Sequence, residues 1–230
     1  MISINVKYDY QNNFNLIMKL YSYWRSTAAY RVRIALNIKN IDCLIEPVHL
    51  VNNGGEHLQE SYVDINPQKL VPALVIDSGD VLTQSLAVID YLEEYSPQNS
   101  LYPNDFIQKA QAKAMALSIA CDIHPLNNLR VLKYLKSQEW QQEQVDNWYA
   151  YWIQQGFSAI EMQLQKSAGR YCFGDTVSVA DIFLVAQVYN ANRFKVPLDN
   201  YPLIKKINDN CLVLDAFIDA LPENQVDCDL

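Results

Sequence analysis

Two hydroxyl residues, Ser26 and Thr27, stand where the sequence changes from a strand-like to a helix-like pattern. Residues 17–23 alternate well enough for a strand, and apolar residues recur at helical spacing through residues 28–38. The first backbone N–H groups of a helix lack partners inside the helix, so such a turn is suited to collecting an anion. We therefore expect these hydroxyls to face a ligand. The alternative is that Ser26 only caps the following helix.

A second turn of the same kind contains Gln84 and Ser85. Here another predicted strand, residues 81–84, gives way to a helix. The Ser85 hydroxyl and the first free amides can receive a carboxylate, to which the helix dipole adds roughly 0.3–1 kcal/mol. Serving as a plain N-cap is the commoner use of serine at this position, and the two roles are compatible.

Composition and charge limit the possible partners. The chain has 230 residues, half of them hydrophobic, which suits one compact unit or two small domains. Its net charge is −8 and no basic run interrupts the acidic balance, so nucleic acid and anionic membrane are excluded as partners. No window approaches ~18 consecutive apolar residues, which excludes a membrane span. Residues 1–16 lack the apolar core of a signal peptide and are expected to form a disordered extension.

The cysteines and histidines do not form a metal or disulfide pattern. The five cysteines are scattered, odd in number and never spaced C-x-x-C, which favours reduced thiols and a cytoplasmic location. Cys121 and Cys172 lie in apolar contexts and are predicted to be small buried residues. The three histidines fall in separate segments, so we predict surface or capping roles and assign no metal.

The first half of the chain predicts a mixed four-stranded sheet. Pro47 places the second strand at an edge or strand end, because proline cannot donate to a ladder. A strand–helix–strand unit is followed by a hairpin and a helix, an order that resembles the thioredoxin fold. The predicted domain spans residues 17–96, with strands at residues 17–23, 42–48, 71–77 and 81–84 and helices at residues 28–38 and 86–95.

The second half is predicted to be all-α. Residues 97–105 lack periodicity and are predicted to be a linker to a helical domain, residues 106–230. Ser178 with Asp181 forms a capping-box pattern that predicts the start of a buried helix. The helical segments are residues 107–136, 140–167, 179–192, 201–210 and a short run near 213–221.

This α/β plus all-α organisation resembles the glutathione transferases, and the stretch YSYWRSTAAYRVRIAL resembles the signature of their zeta class. In that signature two serines and a cysteine precede RVRIAL, and here the trio reads Ser26, Thr27 and Ala28. The resemblance covers nearly everything after residue 17, through NPQKLVPAL, LTQSLAVIDYLEE, HPLNNLRVLKYL, GDTVSVADIFLVAQVYNANRFKV and LPENQVD. It implies a glutathione-binding N-terminal domain of thioredoxin-like fold.

The resemblance implies roles for the hydroxyl pair and for a proline turn. Ser26 would donate to the thiolate of glutathione and lower its pKa, with Thr27 as a helper. Val71 would hold the cysteinyl backbone, since in this fold the bond to Pro72 is cis and frees the preceding N–H and C=O for a peptide. The alternative is a trans proline that merely starts an edge strand.

Further glutathione contacts follow from the same resemblance. Gln84 and Ser85 would receive the γ-glutamyl end. His57 matches a position where relatives commonly carry glutamine, although a loop histidine is as often solvent-facing. Asn127 and Asn128 align with positions on the first long helix of the second domain that reach towards glutathione or the thiol.

Arginines are the candidate substrate contacts. Arg193 matches an arginine proposed in the family to receive a substrate carboxylate, which a guanidinium binds bidentately; the alternative is a surface ion pair. Arg25 is a second candidate, whereas Arg31 and Arg33 are expected to be structural because helical spacing puts them away from the turn. Ala28 replaces the signature cysteine. Because the attacking sulfur comes from glutathione, that change affects substrate preference more than glutathione binding.

The activity implied by the resemblance is the glutathione-dependent cis–trans isomerisation of maleylacetoacetate to fumarylacetoacetate, a step of tyrosine and phenylalanine breakdown. Three alternatives stay open. The chain could be a general glutathione transferase acting on α-halo acids or electrophilic alkenes, a maleylpyruvate isomerase, or a non-catalytic binding module of the same fold. Family members are usually dimers, so a homodimer is expected.

Overall fold

A four-stranded mixed sheet forms the centre of the N-terminal half in the computed structural model, which describes residues 18–229. The strands lie in the order β2-β1-β3-β4; β1 and β2 are parallel, and β3 is antiparallel to both β1 and β4. They are β1 (Met18–Ser22), β2 (Cys43–Pro47), β3 (Ala73–Val75) and β4 (Val81–Thr83). Pro47 ends an edge strand, as predicted. The predicted disordered extension, residues 1–16, lies outside the described residues.

Three helices accompany the sheet, and one was not predicted. They are α1 (Thr27–Lys39), α2 (Glu60–Val63) and α3 (Ser85–Tyr95). The α2 helix has only four residues, too few for helical periodicity to register in the sequence. The thioredoxin-like organisation of this half is confirmed.

The C-terminal half is helical, as predicted. Its helices are α4 (Phe106–Leu117), α5 (Leu129–Ser137), α6 (Gln142–Ser167), α7 (Val179–Arg193), α8 (Pro202–Cys211) and α9 (Asp215–Ile218). Within residues 18–229, none of the helices has the length and apolar character needed to cross a membrane. The predicted capping box is present at α7, where the Ser178 N–H donates to Asp181 Oδ2 at 2.8 Å.

The prediction of one continuous helix over residues 107–136 is wrong. The α4 helix ends at Leu117, and a π-helical turn (Ser118–Ile123) and a 3-10 turn (His124–Asn127) precede α5. Pro125 lacks the N–H that a continuing helix would need. The neighbouring α6 fixes the break: Trp148 Nε1 donates to the Leu126 carbonyl at 2.8 Å.

Helix α1 joins the two halves of the molecule through its polar side chains. Arg33, buried in α1, donates to the carbonyls of Ala220 and Trp24, both at 3.1 Å, and to Ser22 Oγ at 3.0 Å. Asn37 donates to the Ala216 carbonyl at 3.0 Å. The structural role predicted for Arg33 is confirmed, and the middle and end of α1 are held against the helical half.

Candidate active site

Two adjacent cavities lie between the sheet half and the helical half. Their volumes are about 410 Å³ and 420 Å³, and they share wall residues, so they adjoin and are together called the cleft. Every sequence-predicted site residue lines at least one of them. The first cavity contains Ser26, Thr27, His57, Asn127 and Arg193; the second contains Pro72, Gln84 and Ser85; Val71 and Asn128 line both.

Ser26 both caps α1 and faces the first cavity. Its backbone is extended (φ −74°, ψ 114°), and its Oγ accepts a hydrogen bond from the Ala29 N–H at 3.2 Å. The capping alternative is therefore correct, but Ser26 also lines the first cavity. Because the hydroxyl oxygen is the acceptor in this bond, its proton stays available for donation into the cavity.

Thr27 is buried and already engaged. Asn190 of α7 donates to its Oγ1 at 3.1 Å, and Thr27 Oγ1 lies 3.3 Å from His124 Nδ1. Burial, with the charges of Arg31 and Arg130, lowers the pKa of His124 to about 3. The imidazole is thus neutral and can accept a hydrogen bond from the Thr27 hydroxyl. This network ties the first turn of α1 to α7 and to the break after α4.

The Val71–Pro72 peptide bond is cis, as predicted. Val71 is buried and lies at the boundary between the cavities. The preceding carbonyl, that of Leu70, accepts from Tyr62 Oη at 2.6 Å and from Asn66 Nδ2 at 2.7 Å. These two hydrogen bonds therefore fix the backbone just before the cis bond.

The turn at Gln84 and Ser85 has an unusual backbone. Gln84 has φ 68° and ψ 113°, a left-handed region that is costly for a non-glycine residue and is concentrated at functional sites. Gln84 occupies the N-cap position and Ser85 the first position of α3, so the alternative of a plain serine N-cap is wrong. The Ser85 hydroxyl instead accepts from Arg31 Nη1 at 3.4 Å.

Two polar atoms near the first cavity have no hydrogen-bond partner among the described residues. They are His57 Nδ1, in a 3-10 turn (Glu56–Leu58), and Asn127 Oδ1. Burial, then the charge of Lys133, lowers the pKa of His57, which favours its neutral form. Such atoms are costly unless a ligand or water satisfies them.

The prediction that Asn127 and Asn128 lie on a long helix is wrong. Asn127 ends the 3-10 turn and donates through Nδ2 to the Tyr149 carbonyl at 3.2 Å. Asn128 is the N-cap of α5, and its Oδ1 accepts from the Arg130 N–H at 3.1 Å. The break after α4 therefore brings both side chains to the cleft.

Positive charge dominates the first cavity. Among the described residues, its lining has no aspartate or glutamate but has five cationic side chains, Arg25, Lys69, Arg130, Lys133 and Arg193. This is notable in a chain of net charge −8. The cavity thus favours a ligand with more than one negative charge.

The two predicted substrate arginines differ in their surroundings. Arg193, the last residue of α7, has no ion pair within the described part of the chain, contrary to the surface-pair alternative. Partial desolvation, then the charge of Arg25, lowers the pKa of Arg193. Arg25 Cζ lies 4.2 Å from the centre of the Trp24 ring, and Arg25 Nη2 lies 3.8 Å from Asp229 Oδ1.

Several residues of the cleft were not predicted as site residues. His124, expected at the surface or as a cap, lines both cavities. Tyr149, stacked on Phe194 with ring centres 3.6 Å apart, and Asn190 form a wall of the first cavity. Cys172 is buried as predicted, but the same prediction for Cys121 is wrong, since that residue is exposed. A histidine or asparagine in a helical segment gives no sequence signal that separates these roles.

Family comparisons agree with this architecture. Residues 20–100 match the glutathione S-transferase N-terminal domain, and residues 125–213 match the glutathione S-transferase C-terminal domain. The chain is 47% identical to maleylacetoacetate isomerase of Pseudomonas aeruginosa over 210 residues, which cover 91% of this chain and 98% of that protein.

Two solved structures are similar over almost their whole length. One is the holo structure of a maleylpyruvate isomerase, a bacterial zeta-class glutathione S-transferase (43% identity, TM-score 0.87, 91% of this chain and 99% of that one). The other is maleylacetoacetate isomerase of Methylobacterium extorquens with bound malonate and glutathione (38% identity, TM-score 0.86, 90% and 97%).

Proposed function

The chain belongs to the glutathione S-transferase family, and from that premise we propose that it isomerises maleylacetoacetate to fumarylacetoacetate with glutathione as coenzyme. The reaction is a step of tyrosine and phenylalanine breakdown. The observation that carries the proposal is the first cavity, whose lining among the described residues has five cationic side chains and no carboxylate. A dianionic maleyl substrate beside a thiolate needs such an environment.

The residues of the cleft fit glutathione. The backbone of Val71 would pair with the cysteinyl unit, and Ser85 with Gln84 would take the γ-glutamyl end at the start of α3. His57 and Asn127 line the first cavity and are the candidates for contacts with the rest of the tripeptide. An extended tripeptide also suits a cleft formed by two joined cavities.

When bound, glutathione supplies a thiolate that adds reversibly to the conjugated cis double bond, which lets that bond rotate before it is restored in the trans form. Ser26 donates a hydrogen bond to the sulfur and keeps its proton, and the positive end of α1 adds to the stabilisation of the thiolate. Thr27 supports Ser26 by fixing the first turn of α1 through Asn190 and His124.

Arg193 binds a substrate carboxylate, with Arg25 as the second cation. Guanidinium groups bind carboxylates bidentately, and Arg193 has no competing ion pair among residues 18–229. Positive charge fixed at this place also stabilises the negative charge that develops next to the carbonyl group during addition.

The two halves divide this work, and we propose the following organisation. Residues 17–96 form the glutathione-binding domain, residues 97–105 the linker and residues 106–230 the substrate domain. A homodimer is proposed because members of this family are usually dimers. A cytoplasmic location is supported by five free, scattered cysteines.

Arg193 gives a direct test of substrate binding. In Arg193→Gln, the Michaelis constant for maleylacetoacetate should rise roughly 10- to 100-fold, the loss of a charge-assisted contact, while affinity for glutathione stays near wild type. Arg170→Gln is the matched control, because Arg170 is exposed and lines neither cavity. An unchanged Michaelis constant in Arg193→Gln would contradict the role.

Maleylpyruvate is a second candidate substrate. It is favoured by similarity to a maleylpyruvate isomerase. Ala28, which stands where the zeta signature has cysteine and lines the second cavity, is the departure from the signature that bears on substrate preference. Comparing kcat/KM on the two maleyl substrates and on an α-halo acid separates the candidates. A higher value on maleylacetoacetate supports our assignment; a higher value on either rival overturns it. Absence of glutathione binding at millimolar concentration would favour the non-catalytic module.

A further inference from the structure

Arg31 of α1 is a buried cation that the protein leaves incompletely paired. Its side chain is 1% exposed, and its Cζ lies 4.4 Å from the centre of the Phe183 ring. Nη1 donates to Ser85 Oγ at 3.4 Å, but Nε and Nη2 have no hydrogen-bond partner among the described residues. No carboxylate of residues 18–229 forms an ion pair with it. An uncompensated buried charge is costly, so this arrangement needs another explanation.

Arg33, two residues further along the same helix, shows what a purely structural arginine looks like here. Its Nε, Nη1 and Nη2 all donate to backbone carbonyls or to Ser22. The structural prediction made for both arginines therefore accounts for Arg33. It does not account for Nε and Nη2 of Arg31, which have no partner among the described residues.

The position of Arg31 suggests what compensates its charge. It lines the second cavity together with Ser85 and Gln84, at the positive end of α3. Because Ser85 Oγ accepts from Arg31, the hydroxyl proton is directed away from the guanidinium and can be donated to a ligand. Burial lowers the pKa of Arg31 to about 9, which leaves it protonated at neutral pH.

We propose that Arg31 is a positioning and specificity residue for the α-carboxylate at the γ-glutamyl end of glutathione. It orients the Ser85 hydroxyl as a donor and supplies the positive charge that the carboxylate balances. The inference rests on the proposed function, because it assumes glutathione in the cleft. It goes further by assigning to a helix-interior arginine the discrimination between ligands with and without this carboxylate.

Calorimetry with two non-reactive ligands tests the coupling. The probes are S-methylglutathione and its analogue with a 4-aminobutyryl group in place of γ-glutamyl, which lacks only the α-carboxylate. For the wild-type chain, losing the carboxylate should weaken binding roughly 10- to 100-fold. In Arg31→Gln the same change should weaken binding less than about 3-fold, because the group that senses the carboxylate is gone.

Two further variants separate coupling from damage to the fold. Arg31→Lys retains the charge and should recover most of the discrimination, and it carries the test if Arg31→Gln does not fold. Arg33→Lys is the matched control: it should lower the melting temperature but keep the wild-type discrimination factor.

The outcomes separate this inference from the function it rests on. Equal discrimination in wild type and Arg31→Gln, or no recovery of discrimination in Arg31→Lys, would overturn the inference alone. If the wild-type chain bound S-methylglutathione not at all, the proposed function and the inference would both fail.

Discussion

Ser26 has two roles that a single substitution can separate. Its oxygen caps α1, and its proton is free for a thiolate. In Ser26→Ala, we expect kcat/KM to fall roughly 10- to 100-fold, because a hydrogen bond to a charged group contributes about 1.5–3 kcal/mol. The free energy of unfolding should fall by about 1 kcal/mol through loss of the cap.

The control for the capping loss is Asp105→Ala. Asp105 caps α4 through bonds from the N–H groups of Ile107 and Gln108, and it lines neither cavity. This variant should lose similar stability and keep wild-type kcat/KM. If both variants lost activity equally, the effect of Ser26→Ala would be one of stability and not of thiolate stabilisation.

His124 predicts a pH dependence of stability. Its pKa is about 3 in the folded chain, against an ordinary value near 6.5. Between these values the unfolded state binds a proton that the folded state does not, so stability falls as the pH is lowered from about 6.5. The slope is at most about 1.4 kcal/mol per pH unit.

The measurement compares wild type with His124→Gln by denaturant unfolding at pH 7, 6 and 5. We expect the wild type to lose its advantage over the variant as the pH falls. His57, whose pKa is also lowered, is present in both proteins and cancels in the comparison. Parallel pH profiles would contradict a neutral His124.

At the residue scale, sequence predicted the positions of the site better than their bonding. The Ser26 and Ser85 turns could be located because strand-to-helix changes are visible as changes of period. The partner of Ser85, an arginine from another element, could not be found, because contacts between distant segments leave no mark in a single sequence. His124 was missed for the same reason.

At the element scale, the break between α4 and α5 shapes the cleft. It carries His124, Asn127 and Asn128 to the cavities. A close approach of α6 supports it: a Cβ built on Gly156 would lie 2.1 Å from Ile123 Cδ1. The alanine-rich residues 110–120 favour a continuous helix. The sequence alone therefore gave no signal for the π-helical turn that follows Leu117.

Gly156 therefore gives an element-scale prediction. Glycine to alanine inside a helix normally stabilises by about 1 kcal/mol, but Gly156→Ala should destabilise by about 1–3 kcal/mol because it overpacks Ile123. Unfolding free energies from urea titration give the change directly.

The same clash supplies the control. In an Ile123→Ala background only the Cβ remains, 3.8 Å from the added methyl group, so Gly156→Ala should become neutral or stabilising. If Gly156→Ala lowered the free energy of unfolding equally in both backgrounds, a clash with Ile123 would not be the cause.

At the scale of the whole molecule, charge is distributed unevenly. A chain of net charge −8 places five cations around one cavity. The sequence predicted the two architectural halves, since strand and helix periods occupy separate parts of the chain. It could not predict the cationic cavity, because Arg25, Lys69, Arg130, Lys133 and Arg193 come together only when the turn before α1, the loop between α2 and β3, α5 and α7 pack.

The most direct test of the account is the amount of fumarylacetoacetate formed from maleylacetoacetate when glutathione is limiting. The purified chain should form many molecules of product for each glutathione present, leave the glutathione concentration unchanged, and form none above the uncatalysed rate without it. Product limited to one equivalent of glutathione, or turnover that does not depend on glutathione, would contradict a coenzyme role in this cleft.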